Sequence, residues 1–255
     1  MEIPESTKEL LLWRAAYAGE TDKVEQLLMN GAGFATLRRF WETPLHLAVK
    51  NGDHMTVEVL LSHGVSFLNF QDHKGRTALC LAVQSNDEEM VNLLLKNGVE
   101  PFIVNDKKES PLHIAVKNKN EEIFELLLDY TKKADQLNLQ DKKGRTVLHK
   151  AVKSNIKNRR LIRLLDLGAD VNIKDDLGCT PLQYARNNKT IFLLLERGAD
   201  INSQDRLGKT LLHKIINHHQ YKSLVEYLIS TAGANLFIAE KDGTKPFDIL
   251  YDKKE

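Results

Sequence analysis

Apolar residues in this chain fall at helical spacing in short runs, and the runs come in pairs. The second run of each pair, as in VEVLLSHG, MVNLLLKNG and IFELLLDY, spaces Leu, Val, Ile and Phe along one helix face and often stops at Gly. The first run, as in PLHLAV, ALCLAV and PLHIAV, follows a Thr or Ser whose hydroxyl predicts an N-cap, a feature that stabilises a helix by about 1 kcal/mol. Pro directly after the cap suits the first helical turn, where no amide donor is needed. Ala48, Ala82, Ala115, Ala151 and Ala185 lie five residues after the Thr or Ser, and so small a side chain admits a close neighbouring helix. Between pairs stand polar stretches such as GADVNIKDDLG and GADINSQDRLG, whose Gly, Asn and Asp predict turns joining two short extended pieces.

The pairs recur at a fixed period. Aligned on Thr43, Thr77, Ser110, Thr146, Thr180, Thr210 and Lys245, the steps are 34, 33, 36, 34, 30 and 35 residues. One step earlier, LLWRAAYAG overlies PLHLAVKNG. Eight units result: a capping unit at 1–34, repeats near 35–68, 69–101, 102–137, 138–171, 172–201 and 202–236, and a C-terminal half-repeat cap at 237–255. One unit cannot bury its own apolar face, so the units are expected to stack as a single domain over 1–255 with capped ends. Ser6 and Glu9 have capping-box spacing at the first end. Two irregularities stand out: LLLDYTKKADQLN is expected to lengthen an outer helix, and RNNKTIFLLL to shorten the link between two helices. The Gly two positions before the Thr, at 75, 144, 178, 208 and 243, becomes Trp41 and Lys108 elsewhere. Those two fingers are expected to turn differently, because a side chain disfavours positive φ.

TPLHLA, the LLL-x-x-G helix end and GAD[VI]N-x-x-D-x-x-G together resemble the ankyrin-repeat family, over nearly the whole chain. The resemblance implies an all-α repeat solenoid, an ankyrin-repeat stack of antiparallel helix pairs with β-hairpin fingers. It also implies a non-enzymatic protein-protein interaction module. In the family the TPLH histidine bonds across to hairpin backbone, and Cys80 and Gln183 in its place imply that the position tolerates replacement. Family members are also hydroxylated at a finger asparagine, which makes Asn69, Asn172 and Asn202 candidates for that modification.

Composition narrows the function classes. With 42% hydrophobic residues the chain is a soluble globular candidate, and 36 Lys plus Arg against 35 Asp plus Glu leave no overall field of one sign. The two cysteines cannot form a framework of bridges. MEIPESTKEL has no apolar stretch of the kind a signal peptide needs. Cytosol or nucleus is therefore the expected setting, with no membrane contact. No HExxH, GxSxG or GxGxxG occurs. His46, His113, His149 and His213 recur once per unit and are too far apart for one catalytic site. His213, His218 and His219 lack a one-face spacing for a metal. Gly208-Lys209-Thr210 copies the end of a phosphate-binding loop, but Ser203 stands where its first Gly belongs. No enzyme, cofactor or metal is expected.

What varies between consensus positions is left for recognition, and family precedent puts those positions on the concave face. The candidate partner-binding residues are Arg39, Phe40, Trp41, His73, Lys74, Arg76, Lys107, Lys117, Lys142, Lys143, Arg145, Lys153, Leu177, Arg206, Leu207 and Lys209. From Lys142 to Arg163 there is no Asp or Glu at all. The expected partner of this monomer is another protein, through an acidic or extended segment. The bland reading is that these cations only solvate exposed positions, and that Phe40 and Trp41 cap the first helix pair. An inhibitor of a transcription factor resembling the IκB proteins is a second reading. Nucleic-acid binding around Lys142 to Arg163 is a third and disfavoured one.

Overall fold

The computed structural model describes residues 5–33, 41–64, 68–118, 120–131, 133–216 and 221–251, with backbone alone at Glu5 and Ser6. Arg39, Phe40, His218, His219 and the Ser6 cap lie outside what is described. The chain divides into two compact units between Tyr130 and Thr131, inside the stretch that lengthens the repeat.

The first unit holds helices α1 (Glu5–Ala18), α2 (Thr21–Met29), α3 (Pro44–Asn51), α4 (His54–Ser62), α5 (Ala78–Ser85), α6 (Glu88–Lys96), α7 (Pro111–Asn118) and α8 (Glu121–Asp129). Its inner helices α1, α3, α5 and α7 pack in sequence, and each lies against its own outer helix, α2, α4, α6 or α8. Ala48, Ala82 and Ala115 are buried at these crossings, as their small size predicts. The Thr43 and Thr77 hydroxyls accept from the amides of His46 and Cys80 at 3.4 and 3.2 Å. Outer helices are capped by Asp53, Asp87 and Asn120, whose side chains accept from the amide three residues on.

The second unit holds α9 (Val147–Lys153), α10 (Asn158–Asp166), α11 (Asn188–Glu196), α12 (Leu211–Ile215), α13 (Lys222–Ser230) and α14 (Pro246–Tyr251). Two 3-10 helices, Ala134–Leu137 and Pro181–Tyr184, complete it. Here both irregularities differ from expectation. The outer helix before the insertion, α8, keeps nine residues, and the additional ones wind the first 3-10 turn. Tyr130 closes α8 by donating back to the Leu128 carbonyl, and the largely polar residues after it offer no apolar stripe to continue a helix. The deletion near Asn187 shortens the inner helix itself to the 3-10 turn Pro181–Tyr184. The outer helix α11 keeps nine residues and its Asn187 cap, so the missing length comes out of the inner element.

Two further expectations are corrected. Among the described residues no strand forms, so the fingers are tight turns rather than β-hairpins. Their polar groups are satisfied by side chains and by neighbouring fingers instead of by a ladder. Lys108 does not turn differently: its φ is +55°, and its amide donates to the Asn105 carbonyl at 2.7 Å as the amide of Gly75 donates to Asp72. The surrounding bonds impose the left-handed conformation on a residue that resists it by about 1–2 kcal/mol. The finger that leads to Trp41 lies largely outside the described residues.

Candidate interaction surface

Five of the described fingers are each built around one carboxylate or amide. The Oδ1 atom of Asp72 accepts the amides of Lys74 and Arg76, both at 2.8 Å, and Oδ2 takes the Arg76 guanidinium at 2.6–2.8 Å. Asp141 repeats this with the amides of Lys143 and Arg145, the Arg145 guanidinium at 2.9 Å and Lys150 at 3.3 Å. Asp175 accepts the amides of Leu177 and Cys179 and, in place of a cation, the Tyr184 hydroxyl at 2.5 Å. Asp205 accepts from Leu207 and Lys209 and pairs with Lys214 at 3.0 Å. In the repeat with Lys108 the neutral Asn105 does the same for Lys107 and Glu109.

These cages set local protonation. Burial pushes the Asp141 carboxyl up, but the bonds from Arg145 and Lys143 and the charge of Lys150 outweigh it and hold the pKa at about 2. Asp72 and Asp205 are lowered in the same way. Tyr184 is pushed up, first by burial and then by its bond to Asp175.

Neighbouring fingers are tied together. Their tip dipeptides bond backbone to backbone, Asp106 N to Lys74 O in the first unit, then Asp176 N to Lys143 O, Arg206 N to Leu177 O and Lys241 N to Leu207 O in the second, at 2.8–3.0 Å. The approach is so close that a Cβ on Gly75 or Gly144 would sit 2.7 Å from the next finger's amide nitrogen. Glycine is needed there twice over, for positive φ and for space.

Asn69, Asn172 and Asn202 do more than stabilise their own turns. Each carbonyl accepts an amide from the start of the next finger, from Glu100, Asp200 and Asn235 at 2.8–2.9 Å. Asn172 and Asn202 also donate to the Gly198 and Gly233 carbonyls. Gln71, Gln140 and Gln204 bridge in the same direction, to the carbonyls of Val104, Lys174 and Ala239. Sequence reasoning missed these glutamines, although the recurring Gln-Asp dipeptide was a visible signal.

The TPLH histidines are structural. Nδ1 of His46 and His149 accepts the amide of the capping Thr, which leaves Nε2 protonated to donate to the Arg76 and Cys179 carbonyls at 3.0 Å. Burial holds both rings below the ordinary imidazole pKa. Gln183 reproduces the pattern with its amide, whereas Cys80 makes only a 3.9 Å sulfur contact. Glu42, Asp72 and His73 bring three ligand-type atoms within 4.8 Å of one another. Asp72 is already held by Arg76, and Glu42 pairs with Lys50, so that trio is committed internally.

The candidate recognition residues therefore separate into two sets. Arg76 and Arg145 brace their own finger aspartates, and Lys209 pairs with Glu240 at 3.1 Å. His73, Lys74, Lys107 and Lys117 in the first unit, and Lys142, Lys143 and Arg206 in the second, are exposed, with no ion pair among the described residues. Lys153 lies 5.3 Å over the Tyr184 ring. Trp41 is 67% exposed and does not cap the first helix pair; Trp13 reaches that finger instead, through a 2.9 Å bond to the Glu42 carbonyl. Leu177 and Leu207 stand out from their tips, 62% and 59% exposed.

This grammar is shared with known proteins. A family profile described as Ankyrin repeats (3 copies) matches residues 12–105, 97–175 and 113–205. An ankyrin repeat protein of fowlpox virus (strain NVSL), FPV230, is 31% identical over 179 residues, 69% of this chain and 92% of that protein. The Xenopus laevis nuclear factor NF-kappa-B p100 subunit is 33% identical over 164 residues, 61% of this chain but 17% of that protein. Several further relatives are also much longer, the chain spanning between 11% and 29% of their length. Among solved structures, the ankyrin repeat domain of Bcl-3, described as a unique member of the IkappaB protein family, superposes with a TM-score of 0.64 at 27% identity. That match covers 79% of this chain and 92% of the other. With one repeat pattern matched from Leu12 to Asp205 and carried by the same helix pairs, the chain belongs to the ankyrin-repeat family.

Proposed function

We propose that the chain is a non-enzymatic scaffold, adaptor or inhibitor that holds an acidic segment of another protein against its finger tips and inner-helix ends. Ankyrin repeats are protein-protein interaction modules, which supplies the general class. The observation that carries the finer reading is the pair of exposed lysines at one tip of the second unit, Lys142 and Lys143, on a finger whose Arg145 is spent on the protein's own Asp141; in the first unit Lys74 stands likewise beside the Arg76–Asp72 pair. Opposite charge there raises the encounter rate and fixes register, while a few desolvated aromatic or Arg anchors set affinity. The protein acts as a monomer in cytosol or nucleus and uses no cofactor, and nucleic acid is not its ligand.

Binding of a labelled all-glutamate peptide, followed by fluorescence anisotropy, tests this. Lys142→Glu with Lys143→Glu is expected to weaken binding about tenfold, and added salt to weaken it further. Equal affinity in the variant, or tighter binding of duplex DNA than of the peptide, overturns the reading. The likeness to the Bcl-3 domain and to p100 favours a second reading, inhibition of an NF-kappa-B-type transcription factor. Mixing the chain with such a factor and finding no complex by gel filtration removes it.

A further inference from the structure

The tip dipeptides of the second unit form two parallel files, because each is bonded backbone to backbone to the next. One file runs Lys142, Asp176, Arg206, Lys241; the other runs Lys143, Leu177, Leu207, Asp242, and all eight residues are exposed. Leu177 and Leu207 have no share in holding their fingers. Their amides donate to Asp175 and Asp205, and their carbonyls accept from Arg206 and Lys241, which leaves both side chains in solvent. Isolated exposed leucines are ordinary on protein surfaces. Two at the same position of adjacent fingers, fixed in register and flanked on one side by two lysines, make a mixed surface two side chains wide.

We infer that this row docks an extended segment whose acidic residues lie over Lys142 and Lys143 and whose apolar side chains lie over Leu177 and Leu207. Charge complementarity puts the acidic part at the lysine end, where Lys142 and Lys143 share one tip, whereas at the far tip Lys241 is offset by Asp242. The row is a single file of tips rather than a groove, which suits one extended chain and offers nothing to enclose a helix or a small molecule. Burying the leucines adds affinity beyond the electrostatic attraction, and pre-fixed fingers keep the ordering cost low. The inference rests on the acidic-segment reading and names the rest of the ligand.

Two labelled peptides of equal length and charge separate the inference from that reading: a run of glutamates joined to leucines, and the same run joined to serines. The leucine peptide is expected to bind about tenfold more tightly. Leu177→Ser with Leu207→Ser is expected to abolish that advantage, leave the serine peptide's affinity unchanged and leave the melting temperature within about a degree, because neither side chain is packed. Lys142→Glu with Lys143→Glu is expected to weaken both peptides. If both peptides bind alike, or the leucine variant keeps the full advantage, the inference falls while the acidic-segment reading stands. If neither peptide binds, the acidic-segment reading falls and takes this inference with it.

Discussion

The two compact units depart from the repeat in opposite ways. In the first, the inner helices α3, α5 and α7 each run eight residues, while the fingers vary: one carries Trp41 and another forces Lys108 to positive φ. In the second, the fingers keep Gly144, Gly178 and Gly208 and an aspartate cage, while the inner elements shrink to seven, four and five residues. Helix length and finger geometry are therefore separately tolerant. A repeat survives damage to either part while the other is intact, because the inner helices bury apolar surface and the fingers satisfy backbone between units.

The largest expected effect falls where the second unit depends on its fingers. Gly144→Ala puts a Cβ on a residue at φ +69° and 2.7 Å from the Asp176 amide. It is expected to destabilise by about 3 kcal/mol, the sum of the left-handed and overpacking terms. Gly98→Ala is its control: φ is +83° with open space around it. Only the conformational part, about 1 kcal/mol, should be lost there. Urea midpoints measure both, and equal losses would remove the close-approach argument.

Next comes the staple between repeats. Asn172→Ala loses bonds to the Asp200 amide and the Gly198 carbonyl, two partners at the start of the next finger. A loss of about 1–2 kcal/mol is expected, with earlier amide exchange at Asp200. In the first unit the comparison runs the other way. Lys108→Gly removes the strain at φ +55° and is expected to stabilise by up to about 1 kcal/mol. A drop in melting temperature would show that the Lys108 side chain contributes more than its backbone conformation costs.

The smallest expected effect concerns acid. Burial keeps His46 and His149 below their ordinary 6.5, so their neutral forms favour the folded state. That stability is complete above about pH 6.5 and is lost as pH falls through the folded values. Asp141 acts lower, its contribution full above 3.8 and lost as pH falls through about 2. His149→Gln, which copies Gln183, should fold and show a flatter dependence of the urea midpoint on pH just below 6.5. An unchanged slope would show that His149 is not titrating on unfolding.

Much of the fold could be read because its period is written into local chemistry. The Thr caps, the alanines at helix crossings and the Gly stops each act within a few residues. What could not be read acts between repeats. Asn172 looks like a turn residue until Asp200 is placed beside it. Lys108 looks incompatible with its turn until the Asn105 bonds that impose it are seen. The recognition surface suffered most, because a count of cations does not tell a free lysine from a brace. The four-residue spacing of Asp72 with Arg76 and of Asp141 with Arg145 held that information, since a tight turn brings such pairs together.

The tip dipeptides at 73–74, 142–143, 176–177 and 206–207 each sit between an aspartate and a glycine that shape the turn with main-chain atoms and one carboxylate. Whatever occupies the two places between them is invisible to folding. A lineage carrying this protein could rewrite its ligand preference one codon at a time without ever passing through an unstable ancestor.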